Sequence, residues 1–374
     1  MADIINTQCA DTDLFTYEDH PSENNPFCNE TENSLYSLSY SQVIPAFFFR
    51  ETPLSIRPTK FEKKRIKYFY NITGLVPLLS FLISTTVYII INIILFGTAT
   101  ICDIENYSWA ASLTDPVIRY SSMTISTIIS TTCVFFLGCR YSGLKASDIT
   151  GPAQQKIKAG TFDIICFFMS GLFISSLYTL LFIFSRKNMP ILVQETLYFS
   201  GGLRQLSVCA LWSCVITPVT GALIYRGVVL KNLSRVSQRF GIFASSILCA
   251  LACEDILKFV PCLLMSVMLS YMTIKYNSIF WPLVIHIAVN ICNTLISAYN
   301  DIYCNSDTAF LQLWTVITCL VGAVFLIFVL IREKIPSINK HQKKRTFSLF
   351  ISSTAVIAAI LIYAAVIALK IISA

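Results

Sequence analysis

The sequence predicts an all-α polytopic membrane protein with about eight to nine transmembrane helices. Three observations carry this. The 374-residue chain is 55% hydrophobic and only 13% charged, with a mean hydropathy of +0.66, a balance that water-soluble domains of this length do not carry. Its apolar residues fall into runs near the roughly 20 residues that a helix needs to cross a bilayer. Its basic residues gather between alternate runs, as the positive-inside rule requires.

The chain opens on an acidic tail, residues 1–56. Its first 49 residues hold Asp3, Asp11, Asp13, Glu18, Asp19, Glu23, Glu30 and Glu32 and no Lys or Arg, with Asn, Ser and Thr filling much of the rest. Such a mixture cannot bury a core, so the tail is expected to be disordered. It lacks the charged-then-apolar start of a cleavable signal peptide, so the first span is expected to act as the targeting signal.

Nine apolar candidates follow: 72–96, 117–139, 162–184, 205–225, 241–253, 257–274, 279–298, 310–331 and 347–369. The fifth is short, and Pro261 interrupts the sixth near its start. Short spans can still cross when neighbouring helices surround them and their backbone groups are satisfied internally. The segments divide into N-terminal helices (57–204), a central core (205–298) and C-terminal helices (299–374).

The basic residues then fix an orientation. "RPTKFEKKRIK" (57–67) precedes span one. Arg140, Lys145, Lys156 and Lys158 lie between spans two and three, and Arg226, Lys231, Arg235 and Arg239 between four and five. "REKIPSINKHQKKR" (332–345) lies between eight and nine. With nine alternating spans all of these fall on one side, which places the N-terminal tail in the cytoplasm. These loops account for the net charge of +7. No basic-aromatic stripe suggests nucleic acid, so the expected partners are the lipid bilayer and a membrane peptide or protein.

Most of the 14 cysteines lie in apolar spans, where a thiol behaves as a small hydrophobe. Cys102 and Cys304 fall in loops expected outside the cytoplasm and could pair. There is no CxxC pair, no HExxH, no Gly-rich phosphate loop and no GxSxG. Any chemistry must therefore come from polar residues within the membrane, which are costly there and call for a reason. Arg226 sits at the end of span four, where the simplest reading is that it snorkels to the interface. His286 and Asn290 lie four apart in "FWPLVIHIAVNICN", on one helical face. Spacing alone allows them to be helix–helix hydrogen bonding as readily as a site.

The text around these residues is more specific. "YRGVVLKNLSRVSQRFGIFASSILCAL" and "YMTIKYNSIFWPLVIHIAVN" have the cadence of the CAAX protease and bacteriocin-processing (CPBP) family, to which the type II CAAX prenyl endopeptidases belong. The chain resembles that family over about residues 210–297. The resemblance implies a helical bundle around a polar intramembrane cavity and a metalloprotease reaction carried by three motifs. The first is Glu-Glu-x-x-x-Arg. Its arginine falls on Arg226, and its glutamates fall on Gly221 and Ala222 in "ITPVTGALIYRGVVL". The second is Phe-x-x-x-His, which falls on Cys249 and Cys253. The third, His-x-x-x-Asn, is intact as His286 and Asn290.

In the family, as the resemblance implies, glutamate is the base, the histidines orient water or hold a metal, and the asparagine binds the oxyanion. A base must meet the proton it takes at hydrogen-bond distance, which Gly221 and Ala222 cannot do. A catalytic metal needs about three protein ligands and an open position, and His286 is the single histidine within the spans. Glu254 follows Cys253, but one residue along a helix turns a side chain by about 100°.

Three readings follow. The leading one is a degenerate, inactive homologue that keeps the cavity and binds a membrane segment or partner, with no cofactor and no metal expected. The second is a protease with a rebuilt site. The third is a transporter or receptor component. A bacterial cell membrane is the expected location. Arg226, His286 and Asn290 are expected to converge between spans four, five and seven, with Gly221 and Ala222 beside them. A zinc ion held by Cys249, Cys253 and His286 is the only visible route to a metal-bound water, with Glu254 or Asp255 as the remaining acids. Against it, the two cysteines read simply as small packing residues.

Overall fold

The computed structural model describes residues 60–101, 115–145, 149, 160–188, 202–303, 308–332 and 347–373. Among them every regular element is helical and there is no strand. Among the described residues eight helices are long and apolar enough to cross a membrane. The chain is a polytopic helical membrane protein. The acidic tail, Cys102, Cys304, and most of the basic loops around 145–158 and 333–346 lie outside the described residues.

Three helices come first: α1 (Lys60–Ile101), α2 (Pro116–Ser142) and α3 (Thr161–Asn188). The ends of α2 follow from its sequence. Asp115 precedes Pro116 and accepts from the Val117 and Ile118 amides at 2.7 and 3.1 Å, so it satisfies donors that the helix itself leaves unpaired. Gly143, at φ 63°, closes the other end and donates back to the Cys139 and Arg140 carbonyls.

The fourth element, α4, runs unbroken over 202–234 but changes its winding. It passes through Gly202–Ala210, a π-helical turn at Leu211–Ile216, Thr217–Thr220, a longer π segment at Gly221–Val229, and Leu230–Ser234. Three residues then lead to α5 (Gln238–Leu251), whose first turn is capped by the Ser237 hydroxyl. At 1.5 Å per residue, the 14 residues of α5 span roughly 21 Å, short of a hydrocarbon core of about 30 Å. It is the short apolar helix beside the eight long ones. Next come α6 (Ile256–Lys275), α7 (Phe280–Tyr303), α8 (Thr308–Arg332) and α9 (Thr354–Ser373).

Two apolar cores organise the bundle. One joins Tyr70, Val134, Ile224, Val228, Leu248 and Val356 from α1, α2, α4, α5 and α9. The other joins Phe167, Met268, Ile285, Val289 and Val329 from α3, α6, α7 and α8. Small residues let backbones approach closely, as membrane packing without a hydrophobic driving force requires. A Cβ at Gly74 of α1 would stand 2.4 Å from the Ala355 backbone of α9, and one at Gly322 of α8 would stand 2.6 Å from the Met169 carbonyl of α3. Hydroxyls add bonds between helices. Ser130 donates to the Ser80 carbonyl at 2.7 Å, and Thr131 and Thr220 share a bond of 3.0 Å.

Four features differ from the sequence reading. Helix α1 begins at Lys60 rather than 72 and takes in most of the basic stretch 57–67 expected to precede span one. Span four was expected to end near 225 with Arg226 in a basic loop, but the helix continues to Ser234. Arg226 is 1% exposed and Lys231 0%, so neither snorkels. The apolar run 227–230 and the packing of Val228, Leu230 and Leu233 keep the chain helical beyond the charge. Pro261 lies inside α6 without breaking it. It falls in the helix's second turn, so it removes little of the bonding ladder. The last helix begins at Thr354 rather than 347, because the chain turns at Ser352 and Ser353 after a short helical piece.

Candidate functional site: an arginine and a histidine between two cores

The site grows out of the irregular winding of α4. In a π-helical turn the bonded residues are five apart, not four. The Thr217 amide accordingly donates to the Trp212 carbonyl. The next residue, Pro218, has no N–H to give. The Ser213 carbonyl is therefore left without a partner inside its own helix, whether the count is four or five. Asn290 of α7 supplies it, donating Nδ2 at 2.8 Å. One turn further along α7, Thr294 meets Cys214 at 3.3 Å and Ser213 at 3.4 Å. These bonds lock α7 against α4.

The second π segment spaces Gly221 and Arg226 so that they lie together. A Cβ on Gly221 would stand 3.4 Å from Arg226 Nη1, in ordinary van der Waals contact. A side chain at position 221 would thus begin against the guanidinium. Ala222 is wholly buried. Among the described residues Arg226 makes no ion pair, and its Nε and Nη1 are buried without hydrogen-bond partners. His286, one turn before Asn290, lies within electrostatic reach of Arg226, and its Nδ1 is likewise buried and unpartnered. Gly221, Arg226 and His286 thus form one locality between α4 and α7, and Asn290 holds the same two helices together.

The two cysteines behave differently from the sequence expectation. Cys249 is in the last turn of α5 and within electrostatic reach of Arg226. Helix α5 ends at Leu251, so Cys253 sits in the turn beyond it rather than on the same regular face. Its thiol meets Cys262 of α6 at 2.6 Å and points back to the Cys249 carbonyl at 3.6 Å. Cys253 thus turns to a thiol on the neighbouring helix, and not to His286. Among the described residues no group of three or more His, Cys, Asp or Glu side chains is arranged to hold a metal ion. The set Cys249, Cys253 and His286 does not fit zinc.

The two acids nearby are committed elsewhere. Glu254, at the left-handed φ of 52°, pairs with Lys370 of α9 at 2.8 Å. Asp255 caps α6 by accepting from the Leu257 and Lys258 amides at 2.9 and 3.4 Å, and it pairs with Lys258 at 3.1 Å. Ser213, Cys262 and Lys370 are the participants that sequence reasoning missed. Pro218 was the available signal for the first, because a proline inside a helix always frees a carbonyl.

A second polar group lies at the start of α3. Asp163 pairs with Lys275 at 3.2 Å and Arg332 at 2.6 Å and accepts the Tyr276 hydroxyl at 3.2 Å. It borders a small cleft lined by Cys166, Phe167, Phe328 and Val329 and ties α3, α6 and α8 together.

The fold and this site define a polytopic helical membrane protein with unpaired polar groups buried between two helical cores. Residues 204–292 match the family model for the type II CAAX prenyl endopeptidases, described as Rce1-like. This region contains Arg226, Cys249, Cys253, His286 and Asn290. No curated protein and no solved structure matches the chain.

Proposed function

We propose that this protein is a CPBP-type membrane protein that has lost peptide hydrolysis and keeps the Arg226–His286 locality to bind a membrane peptide or protein partner. The observation that carries this is the contact of position 221 with Arg226. A glutamate there would enter the site beside the guanidinium. Gly221 and Ala222 bring no group that can take a proton from water. Glu254 and Asp255 are held by Lys370 and by the α6 cap. Asn290 donates to Ser213, so the group that the family resemblance gives to the oxyanion is engaged within the bundle. What remains is a buried guanidinium and an imidazole with unused hydrogen-bonding capacity, which can hold a polar group of a ligand without activating water.

On the charge pattern of the loops we place the N-terminus in the cytoplasm, and on the family resemblance we place the chain in a bacterial cell membrane.

The test is turnover. The purified protein in detergent is expected not to cleave prenylated CAAX peptides, with or without a chelator. The combined substitution Gly221→Glu, Ala222→Glu and Cys253→His is expected to recover some cleavage. Metal-dependent cleavage by the unmodified protein, abolished by His286→Ala, would overturn the reading and favour a rebuilt site.

A further inference from the structure

Arg226 presents an electrostatic problem that the bundle leaves open. Its guanidinium is 1% exposed, and arginine stays protonated in proteins. A buried charge is tolerated when paired and hydrogen-bonded, and an uncompensated one is strongly destabilising. Yet among the described residues Arg226 forms no ion pair, and Nε and Nη1 have no acceptor. Asp163, Glu254 and Asp255 are each paired with other cations. The nearby His286 adds a second unpartnered buried nitrogen, Nδ1, which donates or accepts according to its tautomer. A Cβ on Gly221 would meet Arg226 Nη1 alone within 4 Å, at 3.4 Å, so no side chain at 221 stands against the guanidinium.

We infer that Arg226 binds a small carboxylate beside Gly221, with His286 at its margin. The bound group replaces in trans the acid that position 221 does not supply. Carboxylate suits the site because its oxygens accept from a guanidinium in short, charge-assisted bonds. The carboxylate can be free in solution or the C-terminal carboxylate of a bound peptide. The inference deepens the binding role proposed above by giving the ligand's chemistry, and it rests on that reading for the peptide source alone.

Thermal unfolding of the whole chain in detergent tests it, in sodium acetate against sodium chloride at equal ionic strength. A ligand that binds only the folded state raises the midpoint by mass action. Acetate is expected to raise it by about 2–4 °C. Arg226→Gln should abolish the response. Gly221→Glu, which carries its own carboxylate to Nη1, should raise the baseline and also abolish the response. If Gly221→Glu does not fold, the wild-type and Arg226→Gln arms still decide. Equal midpoints in acetate and chloride, or an acetate response that survives Arg226→Gln, would overturn the inference.

A second arm separates the sources, using one apolar peptide with a free C-terminus and the same peptide amidated. Tighter binding of the free acid by about tenfold or more, lost in Arg226→Gln, supports peptide carboxylate capture. Equal binding of both forms without an acetate effect removes the carboxylate inference and leaves the partner-binding function standing. An acetate effect without binding of either peptide upholds the carboxylate site and counts against the partner-binding function.

Discussion

Asn290 of α7 donates its amide to the Ser213 carbonyl of α4 at 2.8 Å. That carbonyl is free because Thr217 bonds one residue further back, to Trp212, and Pro218 carries no N–H. Replacing Asn290 by Leu should leave the Ser213 carbonyl unpaired in an apolar seam. The expected cost is about 1 kcal/mol, the size of polar bonds between membrane helices. Asn290→Asp, which cannot donate when ionised, should cost at least as much. Thermal or denaturant unfolding in detergent measures both, and an unchanged midpoint in Asn290→Leu would show that the bond is not formed.

The same relationship predicts a coupling. Pro218→Ala restores an amide that can bond the Ser213 carbonyl within α4. Asn290→Leu should then cost less in the Pro218→Ala background than alone, by about 0.5–1 kcal/mol. A double-mutant cycle reads this directly. Strict additivity would mean that the proline does not create the need for Asn290.

Glu254 is the nearest acid to the substituted motif, and its pairing predicts that it is dispensable to chemistry. Its partner Lys370 is 42% exposed, and half-exposed pairs contribute little. Glu254→Gln should change stability by no more than about 1 kcal/mol. Glu254→Gly should offset even that loss, because glycine adopts the left-handed backbone at φ 52° without strain. Added to the variant with restored glutamates, Glu254→Gln should leave turnover unchanged. A collapse of turnover there would identify Glu254 as a working base.

Tyr276, in the turn between α6 and α7, gives a pH dependence. Burial first, opposed by the Lys275 charge, pushes its phenol from 10.0 up to about 12. The folded state thus holds the proton more tightly than the unfolded state. This contribution is fully present below pH 10, and stability falls as pH rises from 10 towards 12. Tyr276→Phe removes the ionisable group along with its bond to Asp163. Wild type should be the more stable protein at pH 8, with the difference shrinking or reversing by pH 11. A constant difference across that range would show that Tyr276 does not titrate with folding.

The sequence by itself determined the class and most of the architecture. Long apolar runs can only be helices in a bilayer, because every backbone polar group must bond within its own segment. Helices α2, α3, α6 and α8 therefore fall close to the runs that announce them. The third motif was equally legible, because His286 and Asn290 are four apart on a regular helix and spacing alone puts them on one side. The family likeness was legible in the text around 226 and 286.

The tertiary structure decided what depended on irregular winding and on long-range contact. A π turn changes which residues stack without altering composition, so neither the contact of position 221 with Arg226 nor the freed Ser213 carbonyl could be read from an ideal helical count. The end of α5 at Leu251 placed Cys253 in the turn beyond the helix, against Cys262. The burial of Arg226 was set by packing as well. Its neighbours in sequence suggested a charged loop end, but Val228, Leu230 and Leu233 pack into the bundle and carry the arginine in with them. Whether a charge meets water or another helix depends on residues distant in the chain, and only the assembled bundle brings those together.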